Sequence, residues 1–372
     1  MQFSFDTSPA RVVFGRGTVQ TALEAEVERM GLQRMLVVAS RSHVVLAQRV
    51  TIPFAEAAVA WFTGVEQHVP AATAERAVAL ARRSRADGVL SIGGGSTTGT
   101  AKIVAKETHL PILSVPTSYA GSEMTPVWGM TTAGRTETGT DPAVLPRTVI
   151  LDPDLTDELP RTLAVASALG AMAHAVEAHW APRANPMSSA LADEAVTALA
   201  AGLWALGHTG LAQSNSPEAA LTNPVGTWAG TSAVAGEQLL YGAFLAGAVV
   251  STTGTGLHHR ICLILCGAFA LPHAATHAVV LPHVLALNSP ALPAAAGRIA
   301  RALDAGDAVA GLRRLYAAVG APRTLAEIGM RRDQLPEAID RVTAALPIAN
   351  PRPVGTEQVR AVLTAAFEGD AG

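Results

Sequence analysis

Charge is scarce in this chain: Asp, Glu, Lys and Arg make up 15% of 372 residues, and the formal net charge is −3. A surface that holds nucleic acid needs a basic excess, so a general polyanion binder is excluded and no nucleic-acid partner is expected. Cysteine is nearly absent, with only Cys262 and Cys266. Two thiols four residues apart make no disulfide framework, so they read as small buried apolar side chains in a reducing compartment. Long hydrophobic runs are missing too. The longest, Leu239 to Val250 and Ile261 to Pro272, reach about a dozen residues where a membrane span needs about 20. No membrane association is expected. The opening residues, Met-Gln-Phe-Ser-Phe-Asp, carry no basic segment followed by an apolar one. No signal peptide is therefore expected, and the location expected is cytoplasmic.

Apolar residues, by contrast, are abundant at 49%. That content excludes intrinsic disorder. With so little charge it points to extensive buried surface, including a homodimer interface. The length suits two domains.

The first part, residues 1–155, alternates short β-branched runs with helical stretches. Arg11 to Gly15, Met35 to Ala39, Val89 to Ile92, Pro111 to Val115 and Thr148 to Leu151 read as strands, with helices predicted over 72–86 and 97–108. Such alternation predicts βαβ units and a mostly parallel sheet. After Asp152-Pro153-Asp154 the pattern changes. Residues 156–372 hold Ala/Leu-rich stretches at 161–180, 186–206, 234–250, 258–269, 292–304 and 356–368, broken by Pro, Gly and Asn. This part is predicted to be all helical. Gln213 to Ala233, rich in Asn, Ser, Pro and Gly, reads as a long loop, either a lid or a passive insertion.

Two segments follow predicted strands and carry ligand-binding chemistry. Gly93-Gly94-Gly95-Ser96-Thr97-Thr98-Gly99 opens a predicted helix that contains Lys102. Consecutive glycines let backbone amides approach an anion, and the helix start adds unpaired N–H groups and a favourable dipole. The same glycines would also serve a tight turn. The sequence matches neither G-x-G-x-x-G nor a Walker A loop, so its place after a parallel strand is what favours a pyrophosphate. The next strand ends in Pro116-Thr117-Ser118-Tyr119-Ala120-Gly121-Ser122. Thr117, Ser118 and Ser122 are cofactor-binding candidates there, and Tyr119 is a candidate facing the substrate.

Five of the 11 histidines fall between His258 and His283. His174 lies on a predicted helix, His258 and His259 begin another, and His273 and His277 follow Pro272. A single histidine on an Ala-rich helix is an ordinary core residue. Several on separate helices favour a shared polar site, although their spacing matches no zinc-finger pattern.

Taken together, Gly-Gly-Gly-Ser-Thr-Thr-Gly, Pro-Thr-Ser-Tyr-Ala-Gly-Ser-Glu-Met-Thr-Pro, His-Ala-Val-Glu, Gly-Leu-His-His and Leu-Pro-His-Ala-Ala-Thr-His-Ala-Val-Val-Leu-Pro-His resemble the iron-containing (group III) alcohol dehydrogenase superfamily. Within it they are most similar to the maleylacetate reductases, from Arg11 to Val354. The resemblance implies a dehydroquinate synthase-like fold: an α/β dinucleotide domain, an all-α domain and a cleft between them. It also implies NADH or NADPH as cofactor and reduction of maleylacetate to 3-oxoadipate in aromatic catabolism. Metal-binding members use an aspartate and three histidines. The histidines correspond to His174, His259 and His273, but Gly170 stands where the aspartate would be. No metal is therefore expected. Leu263 replaces a further histidine that would serve proton transfer, leaving His258, His277 or Tyr119 as the candidate acid.

The resulting expectation is hydride transfer to a small polar or carboxylated substrate, with His174, His258, His259 and His273 stabilising developing charge or, if protonated, binding carboxylates. The rival is a non-redox descendant, an isomerase, lyase or cyclase reusing the same cleft. Ser40-Arg41-Ser42 replaces the acidic residue that selects the ribose of NAD. Ser40 is a cofactor candidate on that ground, while Arg41 suits either a 2′-phosphate or a solvated loop.

Overall fold

The computed structural model describes residues 3, 5, 11–132, 135–213 and 232–369. Within the stretch read as a long loop, residues 214–231 lie outside the described residues. The chain divides into two compact units, Thr7–Leu159 and Pro160–Gly372, the latter joined by Met1–Asp6.

The first unit is built on a six-stranded sheet with order β1-β8-β5-β4-β2-β3. Its strands are β1 (Arg11–Phe14), β2 (Met35–Ala39), β3 (Ala60–Phe62), β4 (Gly88–Gly93), β5 (Ile112–Pro116) and β8 (Thr148–Leu151). Every pairing is parallel. Strands β2, β4, β5 and β8 are buried along their whole length. That explains their unbroken apolar runs, because helices cover both faces of such a sheet. Leu36, Val38, Val89 and Ile112 point to one face, packed against Ala77, Ala101 and Val104. Val37, Leu90, Leu113 and Ile150 point to the other, packed against Leu23, Val27 and Val50.

Three strands were not anticipated. β3 is three residues long. β6 (Val127–Thr132) and β7 (Arg135–Thr140) form an antiparallel hairpin. Its Thr- and Gly-rich strands lie at a partly exposed surface, so they lack the apolar runs that mark buried strands.

The second unit is helical among the described residues, as its sequence predicts. The helices Arg161–Ala178, Pro186–Gln213, Ser232–Thr253, Leu257–Phe269 and His273–Asn288 carry or flank the histidines. The last was not anticipated, because Pro282 lies inside it and reads as a helix breaker. Two glycines allow close helix approach: a Cβ on Gly202 would sit 2.6 Å from Leu239, and one on Gly242 would sit 2.7 Å from Leu199. Pro186–Gly207 and Val234–Thr253 are long and apolar enough to cross a membrane by length and composition, longer than the sequence runs suggest. In both, 56% of the apolar window is buried inside the unit, and the glycine–leucine contacts tie the two helices together as core.

Candidate active site

The glycine loop joins the end of β4 to the helix Gly95–Thr108. Gly93 has φ +153°, and a Cβ there would collide with the Thr97 hydroxyl. A Cβ on Gly94 would come within 3.1 Å of Ser118 Oγ, and one on Gly95 within 3.3 Å of Ala120. The loop is thus closed down onto the segment after β5, where Thr117 N–H donates to the Gly93 carbonyl at 3.1 Å. Gly94, Gly95, Ser96 and Ser118 are partly exposed. The N–H groups of Gly95 and Ser96 lie in the first helical turn, which leaves them without intrahelical acceptors. That combination can receive an anion.

Next to it, the turn after β2 is tied to the turn after β5 by a residue that sequence reasoning missed. The ring of His43 is within 2.7 Å of Ser40 Oγ and 3.1 Å of Ser42 Oγ at Nδ1, and within 3.0 Å of Thr117 Oγ1 at Nε2. Burial lowers the His43 pKa, opposed by Glu158, so the ring bridges the loops as a neutral group. Nothing in the spacing of a lone histidine announces such a bridge.

Other expected cofactor residues are placed differently. Thr97 and Thr98 are buried under the loop. Lys102 is buried as well, and its ammonium donates to the carbonyls of Ser122, Thr125 and Val127, each at 2.7 Å, and to the Thr125 hydroxyl at 3.1 Å. This corrects the expectation of a phosphate-binding lysine: its protons are spent on the 122–127 segment. Burial lowers the Lys102 amine to about 7 and raises the neighbouring Glu123 carboxyl to about 7, with their mutual attraction opposing both shifts. Ser122 Oγ is buried without a hydrogen-bond partner. Tyr119, expected at the substrate, is also a core residue. Its hydroxyl bonds Thr156, and burial pushes it up to about 12, a poor acid at neutral pH.

The histidines of the helical unit do converge. His174 comes from Arg161–Ala178, His258 and His259 from Leu257–Phe269, and His273 and His277 from His273–Asn288. The His174 and His259 rings stack with centroids 4.8 Å apart. His277 stands 4.8 Å from His259, 5.9 Å from His174 and 4.5 Å from His273. His258 Nε2 and His277 Nδ1 share a hydrogen bond of 3.0 Å.

Glu177, one turn along the helix from His174, organises this group. One oxygen accepts the His258 backbone N–H at 2.7 Å, and the other makes a short hydrogen bond with His259 Nδ1. Burial alone would raise this carboxyl, but the attraction and hydrogen bond of His259 bring it down to about 2. In the sequence Glu177 stands only as the last residue of His-Ala-Val-Glu. Its i, i+3 spacing from His174 was the available signal.

Burial, reinforced by neighbouring imidazoles, lowers His174 and His277 well below the usual histidine range. Burial takes His258 to about 3, with Glu177 opposing. The His174, His258 and His277 rings are neutral at pH 7, so His174 and His258 do not meet the condition, protonation, under which they would bind carboxylates by charge. They offer N–H donors and lone pairs instead.

Whether this set fits a metal can be judged from its unused nitrogens. His174 Nδ1, His259 Nε2 and His277 Nε2 are buried without hydrogen-bond partners. His174, His259 and His277 each offer a ligand atom, all within 4.8 Å of one another. Three imidazoles with a carboxylate behind one of them are a donor set for Zn²⁺ or Fe²⁺. The compact trio contains His277 where the resemblance implied His273, which is exposed at its helix start. The expectation of no metal, drawn from Gly170, finds no support in this geometry.

A parallel-sheet unit with a glycine cradle and a helical unit with clustered imidazoles define a nicotinamide-dependent oxidoreductase of the group III type. The chain belongs to the iron-containing alcohol dehydrogenase family. Residues 9–153 match the model of iron-containing alcohol dehydrogenase, and residues 226–367 match that of the Fe-containing alcohol dehydrogenase family, C-terminal. It is 40% identical over 369 residues to maleylacetate reductase of Sphingobium indicum, covering 99% of this chain and 98% of that protein. It is 42% identical over 367 residues to maleylacetate reductase of Burkholderia cepacia, covering 99% and 98%. The solved structure of maleylacetate reductase from Agrobacterium tumefaciens superposes with a TM-score of 0.89 at 36% identity, over 99% of both chains. The chain is an NAD(P)H-dependent reductase.

Proposed function

We propose that the substrate is maleylacetate and the product 3-oxoadipate, formed by a cytoplasmic homodimer. NADH or NADPH, when bound, would supply a hydride to the alkene carbon β to the ketone; the alkene electron pair would move onto the ketone oxygen, and a proton from the protein would be added at the α-carbon. The observation that carries this reading is the set of neutral, buried imidazoles with unused nitrogens, in a chain whose full-length relatives are maleylacetate reductases.

The residues divide the work as follows. Gly94, Gly95 and Ser96 would hold the pyrophosphate of the cofactor. N–H groups of the imidazoles stabilise the enolate oxygen, a role suited to preorganised donors in a dry site. His277 delivers the proton from Nε2, and His258, hydrogen-bonded to its Nδ1 at 3.0 Å, replenishes it. This pair stands in for the histidine replaced by Leu263. Glu177 fixes the orientation of His259. A divalent metal bound by His174, His259 and His277 would supply Lewis-acid polarisation of the ketone and would occupy His277 Nε2, so proton delivery by His277 belongs to the metal-free site. The non-redox alternative has no observation in its favour.

The test is oxidation of NADH and NADPH followed at their absorbance maximum with maleylacetate, using protein as purified, after chelation, and after addition of Fe²⁺ or Zn²⁺. Substrate-dependent oxidation is expected in at least one metal state. Its absence from all of them, with either cofactor, overturns the assignment.

A further inference from the structure

We propose that His258, Cys262 and His277 form an alternative metal site, which takes a thiophilic divalent ion such as Cd²⁺ or Zn²⁺ and competes with the His174–His259–His277 trio for His277.

The donors come together from two helices. His258 and Cys262 stand one turn apart on Leu257–Phe269, and His277 reaches them from His273–Asn288. All three residues are buried, at 0%, 0% and 1% exposure. His258 Nε2 lies 3.0 Å from His277 Nδ1 and 3.7 Å from Cys262 Sγ, and the three ligand atoms all lie within 4.8 Å of one another. Around a tetrahedral Zn²⁺, bonds of about 2.05 Å to nitrogen and about 2.3 Å to sulfur place N···N at about 3.4 Å and N···S at about 3.6 Å. The two separations at His258 Nε2 are close to these values, so small side-chain adjustments close the set around one ion.

Without an ion the arrangement is poorly satisfied. His258 Nε2 meets two neighbours at once and has either one hydrogen or one lone pair to give them, and His258 Nδ1 is buried without a hydrogen-bond partner. A cation replaces that mismatch with three bonds. As the sulfur–metal bond forms, the Cys262 thiol releases its proton to solvent, and the resulting thiolate offsets one of the two charges. Glu177 brings further negative charge within electrostatic reach of Cys262, and it accepts the His258 backbone N–H at 2.7 Å.

The two trios differ in softness and share one residue. A thiolate favours thiophilic ions, whereas three imidazoles also serve the harder Fe²⁺. A neutral imidazole has a single lone pair. His277 gives it through Nδ1 to this trio or through Nε2 to His174 and His259, so each chain holds one ion.

Cobalt reports on the thiolate, because Co²⁺–sulfur bonds add an intense near-ultraviolet charge-transfer absorption that Co²⁺–imidazole bonds lack. Protein expressed with Co²⁺, which fills a buried site as the chain folds, should carry about one Co²⁺ per chain by elemental analysis and show that absorption. Cys266→Ser should keep it, with Cys262 then the only thiol in the chain. His174→Gln, which dismantles the other trio, should keep it as well. Cys262→Ser and Cys262→Ala should lose it, with unchanged circular dichroism, and should bind Cd²⁺ at least about tenfold more weakly in competition with a chelator. Wild-type protein grown with Co²⁺ that lacks the absorption, its loss in Cys266→Ser, or its survival in Cys262→Ser overturns the site. The Cys266→Ser arm decides the matter even where the Cys262 variants fail to fold. None of these readouts uses turnover, so they leave the reductase reading to its own test.

Discussion

Glu177 and His259 are joined by a short, fully buried hydrogen bond, while the other Glu177 oxygen holds the His258 backbone N–H at 2.7 Å. One carboxylate therefore fixes both the start of the Leu257–Phe269 helix and the orientation of an imidazole. Gly256 makes room for it: a Cβ there would approach Glu177 Oε1 to 3.3 Å and the Ala349 carbonyl to 2.8 Å.

Removing that carboxylate separates its two roles. Glu177→Ala leaves a buried ring nitrogen and a backbone N–H unpaired and should lower unfolding free energy by about 3 kcal/mol. Glu177→Gln keeps an acceptor and the volume, so it should recover most of that stability. Its kcat should still fall roughly 10- to 100-fold, because an amide does not orient or polarise His259 as a carboxylate does. Urea titration and steady-state kinetics decide between the roles. Wild-type kcat in Glu177→Gln would remove Glu177 from the reaction.

Lys102 makes a contrasting case. Its ammonium satisfies three carbonyls at 2.7 Å, so Lys102→Met should cost about 3 kcal/mol or more in chemical denaturation, since several buried acceptors lose their donor. A variant with wild-type stability and only a raised cofactor KM would restore the phosphate-binding role that its place after the glycine loop suggests.

The contrast shows what could be read from residues alone. Strands buried on both faces, such as Met35–Ala39, announce themselves through continuous apolar runs, and so does the glycine turn that ends β4. Two of the helices bearing the clustered histidines, Arg161–Ala178 and Leu257–Phe269, were also legible, but His273–Asn288 was not, because Pro282 lies inside it. Which histidines meet was not: His273 and His277 share one helix, and a difference of one turn decides whether a ring joins His174 and His259. Direction is likewise invisible in sequence. Lys102 and Tyr119 sit in ligand-binding segments but point into the core, and His43 acquires its role only because β2 and β5 flank β4.

Gly93 tests the cradle itself. Its φ of +153° and the clash of a Cβ with Thr97 are separate obstacles to any side chain. Gly93→Ala should lose about 2 kcal/mol or more of stability, as expected for combined backbone strain and overpacking. Adding Thr97→Ala removes the colliding hydroxyl and the methyl group but not the backbone strain, so it should recover only part. Gly94, with φ −80°, has no such backbone problem. Gly94→Ala should fold near normally and raise cofactor KM, because its Cβ would sit 3.1 Å from Ser118 Oγ at the partly exposed surface. Equal stability of the Gly93→Ala and Gly94→Ala proteins by thermal melting would contradict this division.

Acid should weaken the helical unit through His179, which is buried with Nε2 3.5 Å from Asp193. Burial lowers its imidazole to about 4, with Asp193 opposing and Arg298 assisting. In the unfolded chain a histidine titrates near 6.5. The folded pKa is thus the lower one, so between these values the unfolded chain binds more protons and stability falls as pH falls. The contribution is complete above about pH 6.5 and is lost progressively toward pH 4. At pH 5 the loss from this residue is about 2 kcal/mol by linkage. His258, pushed to about 3 by burial, adds a loss of the same sign, so the wild-type slope alone does not isolate His179. Urea denaturation of the wild type and His179→Gln at pH 7 and pH 5 does. The variant should lose about 2 kcal/mol less than the wild type over that interval, and equal losses would show that His179 titrates normally in the folded protein.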